Sequence, residues 1–288
     1  MFDMKLQLRV LPVFAVALCL AGCGGGSGNG SSESPSATAQ STPAGGTTQA
    51  PAQTYTDWSF SGSAPSVTGA GGKVAVLFVP DTLNSHGVSG TDIDDDNAAL
   101  AGQVQQSNYG GAFTTFASSS VGISLTKGST IADINGTGGY IAIGRWTHGS
   151  DSSGGNYNEN EGAHYAVGTP LTLTRSTGTL SCSLLMATSP TSVSGSVAPG
   201  SLKTATATLD LASLNLQNFA ATVAIGADTS GTIAQASMFA DGESFVAGGT
   251  FFAHTVGTDS TKPLVVIAYG AKLPNTGDIN GLMVLSCK

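Results

Sequence analysis

A run of aspartates, four scattered histidines and four cysteines are the residues of this chain whose types and spacing suggest chemistry. Asp92, Asp94 and Asp96 form the D-x-D-x-D opening of a calcium loop, in which alternate carboxylates would face one cation. An EF-hand needs Gly at its sixth position and Glu at its twelfth, and those positions are Asn97 and Gln103 here. The same run reads equally as a solvated acidic turn, with Asp95 or Asp96 capping a short helix over 97–106 that carries Leu100 and Val104 at i and i+4. The histidines, His86, His148, His164 and His254, show no HxH, HExxH or HxxxH spacing. His148 and His164 would supply two ligands for haem or zinc if the residues between them formed a hairpin at a barrel rim. No G-x-S-x-G elbow, S-x-x-K motif or phosphate loop is present. With few acids and bases for proton transfer, the expectation is a protein without catalytic residues, metal or cofactor.

The cysteines divide by position. Leu20-Ala21-Gly22-Cys23 follows an apolar run over 10–20 and a start containing Lys5 and Arg9. Charged start, an apolar stretch too short to span a membrane and small residues before cysteine read as a bacterial lipoprotein signal over 1–22. Cys23 then carries the lipid, each buried methylene contributing about 0.8 kcal/mol to partitioning. Gly24, not Asp, follows it, so the outer membrane is the expected destination. Cys19 leaves with the signal, and Cys182 and Cys287 are the remaining thiols, disulfide candidates in an oxidising compartment.

Charge and composition bound the rest. The chain has 10 Lys+Arg against 18 Asp+Glu. Without residues 1–22 it loses Lys5, Arg9 and Asp3, and is left with 8 against 17, a net of −9. No basic stripe exists, so nucleic acid is an unsuitable partner and an anionic membrane surface would repel the body; the lipid on Cys23 must provide membrane attachment. Residues 23–54 are Gly, Ser, Thr, Ala, Pro, Asn and Gln with Glu33 as the one charge, a composition that cannot offset ordering entropy and reads as a disordered tether. Its reach as a flexible chain is roughly 30 Å.

The elements that position these groups are strands. Residues 73–80 (KVAVLFVP) read as a buried strand, and 55–135 as a small mixed, β-rich segment with the one short helix. From 136 to 288, eight short segments recur between turn residues: 139–146, 179–187, 203–213, 219–227, 232–240, 245–254, 263–272 and 281–287. This is the pattern of an all-β, eight-stranded antiparallel up-and-down barrel. Ala205, Ala207, Leu209 and Leu211 alternate with Thr204, Thr206, Thr208 and Asp210, and Phe219, Ala221, Val223 and Ile225 repeat the device, giving one dry and one wet face. The expected interior includes Ala207, Leu209, Val223, Ile225 and Val266, with turns at 229–231, 240–242 and 275–277. In that path Cys182 begins the second strand and Cys287 ends the eighth, at opposite ends of the barrel. Either a strand is miscounted or the thiols are not bridged.

The stretches 138–149 (GGYIAIGRWTHG), 164–170 (HYAVGTP) and 237–251 (SMFADGESFVAGGTF) resemble the C-terminal β-barrel of the transferrin-binding-protein-B-like surface lipoproteins, a group that includes factor-H-binding and haemophilin-like proteins. A motif of the form G-x-F-[FY]-G-P-x-A-x-E-x-G-G-x-F closes a hairpin in such barrels, and Phe239, Gly248, Gly249 and Phe251 match it here. Ala240-Asp241 stand where Gly-Pro is usual, and Glu243 comes early. The resemblance implies paired glycines that bend the strand while the aromatic fills the barrel mouth. It also implies a monomeric, lipid-anchored protein at the cell surface that binds a host protein or nutrient-carrying ligand. A periplasm-facing structural lipoprotein and a lipocalin-like carrier are the alternatives. The loop 151–161 (DSSGGNYNENE) and the segment 55–135 are the expected binding surfaces, since long polar excursions exceed what the fold requires.

Overall fold

The computed structural model describes residues 57–87, 94–117, 122–246 and 248–288. The expected signal, Cys23, the tether and Asp92 lie outside them. Residues 52–288 form one compact unit. Its first part runs through β1 (Ser59–Gly62), β2 (Lys73–Val79), β3 (Asp94–Leu100), β4 (Val104–Gln106), β5 (Phe113–Ala117), β6 (Gly122–Ser124), β7 (Thr130–Thr137), β8 (Ile141–Thr147), β9 (Gly149–Ser150), β10 (Asn156–Tyr157) and β11 (Ala163–Gly168). The second part continues with β12 (Thr179–Ala187), β13 (Thr191–Ser192), β14 (Ser201–Asp210), β15 (Asn215–Ile225), β16 (Asp228–Phe239), β17 (Gly242–Val246), β18 (Gly249–Val256), β19 (Leu264–Leu273) and β20 (Gly277–Cys287). The fold is all-β, and among the described residues no helix is long and apolar enough to cross a membrane.

The first sheet has the order β1-β7-β8-β11-β2-β3, antiparallel except for the β1–β7 pair. β2 explains its own sequence: Val74, Val76 and Phe78 face one core while Ala75, Leu77 and Val79 face another, so the run is continuously apolar. On the first face a small sheet, β4-β5-β6, brings Phe113 and Phe116 onto Phe78, Trp146 and Tyr165. The Phe78 and Phe116 rings lie 4.9 Å and 5.4 Å from Trp146. The indole N–H donates to the Phe113 carbonyl at 2.8 Å, which satisfies its polar tip in the core.

The expected helix over 97–106 is replaced by β3, a 3-10 turn at Ala101–Gln103 and β4. Local capping signals lose to a non-local demand: the buried strand β2 requires a ladder partner on each side, and β3 supplies the outer one, pairing Phe78 with Asp94 and Lys73 with Leu100. Aspartates on this outer strand blunt the sheet edge.

The second sheet curls in the order β16-β15-β14-β12-β20-β19-β18-β17, an antiparallel half-barrel of eight strands. Its inner face gathers Leu209, Phe219, Val223, Phe251, Tyr269 and Met283. Its outer face along β18 to β20 packs through Phe252, Val266, Leu282 and Val284 against Leu77, Val79, Ile143 and Ala166 of the first sheet. Ala207, Leu209, Val223 and Ile225 point inward as expected, whereas Val266 belongs to the outer, inter-sheet layer. β19 and β20 are buried on both faces, so they show no polar-apolar alternation that would set their parity.

The strand count also resolves the cysteine paradox. Segment 139–146 is β8 of the first sheet, and 245–254 divides into parts of β17 and β18. With these changes Cys182 lies on the first strand of the half-barrel and Cys287 on the last, antiparallel neighbours in direct register, and the two are bridged with a Cα separation of 4.0 Å. The expected boundary at 136 falls within β7. The turn expected at 229–231 sits instead at 226–227, because Ile225 pairs with Asp228.

Candidate functional site

The loop 151–161 is a built structure rather than a loose excursion. The Asp151 carboxylate is its hub: Oδ1 accepts from Ser153 N–H at 2.8 Å, Ser153 Oγ at 2.6 Å and Gly155 N–H at 3.1 Å, and Oδ2 accepts from the Tyr157 hydroxyl. This is Asx-turn chemistry, in which a side-chain oxygen takes backbone donors that a sheet would otherwise satisfy. β9 and β10 pair across it. Ser152 ties the turn to β6, donating its N–H to the Ser124 carbonyl at 2.9 Å and accepting Ser124 N–H on Oγ at 2.9 Å.

The second half, Asn158 to Glu161, is clamped from below. Thr147 Oγ1 donates to the carbonyls of Asn158 and Glu161 at 2.9 Å and 2.8 Å, and Arg145 Nη1 donates to Glu161 O at 3.0 Å. Arg145 is held in turn by Asp133 at 2.8 Å, with Ser189 donating twice more to that carboxylate. Burial pushes the Asp133 pKa up, but the Arg145 charge and these hydrogen bonds outweigh it and hold the group below its ordinary range. Together with the β6–β7 turn (Thr126 to Ser129) and His148, the loop lines an open, polar groove of about 940 Å³. Nearby Asp81 is pushed up to about 6 by burial and by the charges of Glu161 and Asp151.

A second cavity of about 480 Å³ lies at the start of the first sheet, lined by Trp58, Phe60 and Tyr109 together with Asp57, Gln105 and Asn108. Neither cavity brings together the residues expected from spacing. Asp94 and Asp96 stand in the β3 ladder with extended backbone, which replaces the turn geometry a calcium loop requires. No group of three or more metal-ligating side chains occurs among the described residues.

The histidines do not converge either. His148 is exposed beside the groove at φ 46°. His164, opposite Arg145 on β8, is completely buried between the sheets. Its Nδ1 meets Thr188 Oγ1 at 2.8 Å, and its Nε2 meets Thr191 Oγ1 and Asn280 Oδ1 at 3.1 Å each. Burial, reinforced by Arg145, lowers its pKa to about 3, so it is a neutral structural tie. Asn280 extends that tie to the Asp81 and Leu83 carbonyls.

The barrel motif is divided. Phe251 fills the interior against Phe219 at 5.9 Å, and a Cβ on Gly249 would meet its ring at 2.7 Å. Gly248, at φ 89°, forms the β17–β18 turn rather than a mid-strand bend, and Phe239 lies 52% exposed at the end of β16 instead of filling the mouth. Of the three stretches that carried the resemblance, 138–149 and 164–170 belong largely to the first sheet through β8 and β11.

Sequence reasoning found the loop but missed its hub and the aromatic cavity. The D-x-S-x-G spacing of Asp151, Ser153 and Gly155 was the available signal for an Asx turn. No family model matches the chain, and no curated protein matches its sequence.

Proposed function

We propose that this chain is a non-enzymatic outer-membrane lipoprotein, lipidated at Cys23 and exposed at the cell surface. In this reading the groove formed by 126–129, 148–150 and 156–161 captures a host protein or nutrient-carrying ligand, in the manner of the transferrin-binding-protein-B-like lipoproteins it resembles. The carrying observation is the pre-ordered Asp151 loop. Eleven residues over 151–161, exceeding what a hairpin connection needs, are held by internal hydrogen bonds, and such pre-organisation reduces the entropic cost of binding. The apolar cluster inside the half-barrel favours recognition by loops over carriage of a small molecule within it.

The test is retention of a serum protein by the full-length chain on intact cells, compared with Glu159→Lys and Asn156→Ala. Both side chains are exposed on the groove rim. The expected outcome is protease sensitivity on intact cells and a partner lost at least tenfold by the variants. Protection from external protease, or equal retention by both variants, overturns the reading. Excising 156–161 is a poorer test, because the Asn158 and Glu161 carbonyls satisfy buried Thr147 and Arg145.

A further inference from the structure

The curled sheet stays open along one line. β16 and β17 are consecutive in the chain, joined by Ala240 and Asp241, yet they stand at opposite ends of the sheet order. Among the described residues β16 pairs with β15 alone and β17 with β18 alone. Where a β16–β17 ladder would begin, Phe239 N–H donates to Ser244 Oγ at 3.0 Å. At the other end the Asp228 carboxylate accepts from the backbone N–H groups of Asn275 and Thr276 at 3.1 Å and 2.7 Å. Both ends of β16 are therefore anchored, and the strand between them is an edge.

This edge lacks the usual protection. Edge strands are normally shortened, charged or interrupted by proline, because their free N–H and C=O groups are templates for another strand. The first sheet obeys that rule: β1 has 4 residues, and β3 opens with Asp94-Asp95-Asp96. β17 has 5 residues and carries Glu243. β16 has 12 residues, and from Thr229 to Phe239 it contains neither a charge nor a proline. Its neighbours Thr229 and Ser230 are both exposed, as are Ala236 and Ser237, whereas β15, paired on both sides, never exposes two successive residues. Phe239 and Phe245, 52% and 63% exposed, flank the opening.

The geometry points to β16 as a docking strand for an extended peptide segment of a protein partner, uncharged and β-branched in its middle and basic at its ends. This surface is separate from the Asp151 groove. Backbone hydrogen bonds along an edge supply affinity, and flanking side chains supply selectivity. The occupant follows from charge. Two copies of β16 paired antiparallel would set Asp228 of each against the Asp241 and Glu243 end of the other, in a chain whose formal net charge is −8. Like charges facing one another oppose that dimer, whereas lysines or arginines at the ends of a foreign strand complement the same carboxylates.

The probe is the acetylated peptide KKTVTVTVKK titrated into the full-length protein in detergent, with EETVTVTVEE and a KKTVTVTVKK peptide N-methylated throughout its central residues as comparisons. The expected result is saturable binding of the first, at least tenfold weaker binding of the other two, and at least tenfold slower amide exchange in 229–239. Thr232→Lys/Ala236→Lys, at exposed positions, charges the edge as β3 is charged, and should abolish binding with the thermal transition unchanged. Should that variant unfold, the N-methylated peptide makes the same distinction on the unaltered protein. Equal binding of the N-methylated peptide, exchange protection elsewhere than β16, or a dimer of the free protein protected along β16 would each overturn the proposal.

Discussion

At the scale of single residues, ionisation sets how this protein responds to pH. The Asp81 pKa is raised from 3.8 to about 6 by burial and the neighbouring Glu161 and Asp151 charges. The folded state thus binds this proton more tightly than the unfolded chain does, and the stabilisation present below pH 4 is lost as pH rises through 6. A shift of this size corresponds to at most about 3 kcal/mol, reduced to on the order of 1 kcal/mol by solvent around a partly exposed carboxylate. Asp81→Asn keeps the carbonyl that Asn280 binds and removes the charge. Its melting temperature should exceed that of the parent at pH 7.5 and match it at pH 4; equal values at both would disprove the assignment. Asp151→Ala acts differently, since it strips the acceptor from Ser153, Gly155 and Tyr157 together. It should speed amide exchange in 152–157 by at least tenfold while leaving β2 and β19 protected.

At the scale of elements, the cross-link Cys182–Cys287 joins the first and last strands of the half-barrel across a sequence separation of 105 residues. Closing a loop of that length constrains the unfolded chain by up to about 4.7 kcal/mol in the entropic model, with 2–5 kcal/mol typical on removal. Cys182→Ser/Cys287→Ser should therefore lower the denaturation midpoint by several kcal/mol equivalent, measured in urea, while the circular dichroism spectrum below the transition stays β-rich. A loss under about 1 kcal/mol would mean that the β12–β20 ladder alone closes the sheet. How legible these elements were follows from their surroundings. β14 and β15 were readable because one face is wet, so Thr204 and Thr206 mark the parity of Ala205 and Ala207. β19 was readable as a strand but not in orientation, because Val265 and Val266 are both buried, in different cores. β3 was misread because Asp95 and Asp96 are good capping residues locally, and nothing near them in sequence reports that β2 has an edge to be covered. The Asp151 hub was hidden for a related reason: its value comes from Tyr157 and Ser124 meeting in space.

At the scale of the whole molecule, the two sheets share a layer in which Leu77, Val79 and Ile143 meet Val266, Leu282 and Val284, with the His164–Thr191–Asn280 network at its margin. Such a layer makes the body of 52–288 one cooperative unit, because separating the sheets would expose apolar surface and leave a buried histidine and asparagine unsatisfied. That cooperativity bears on the proposed anchor. If the lipid on Cys23 is the attachment, and the Gly/Ser/Thr-rich residues 24–54 contribute nothing to the body's packing, then membrane association and folding are independent properties. Cys23→Ser should move the protein from the outer-membrane fraction to the soluble fraction, leaving both the β-rich circular dichroism spectrum and the thermal midpoint unchanged within error. The acidic body gives no second means of attachment, since 18 Asp+Glu against 10 Lys+Arg repel anionic headgroups. A variant that still sediments with the outer membrane at high salt would show that the body itself holds the bilayer. One that becomes soluble but unfolded would show that the lipidated segment is part of the fold.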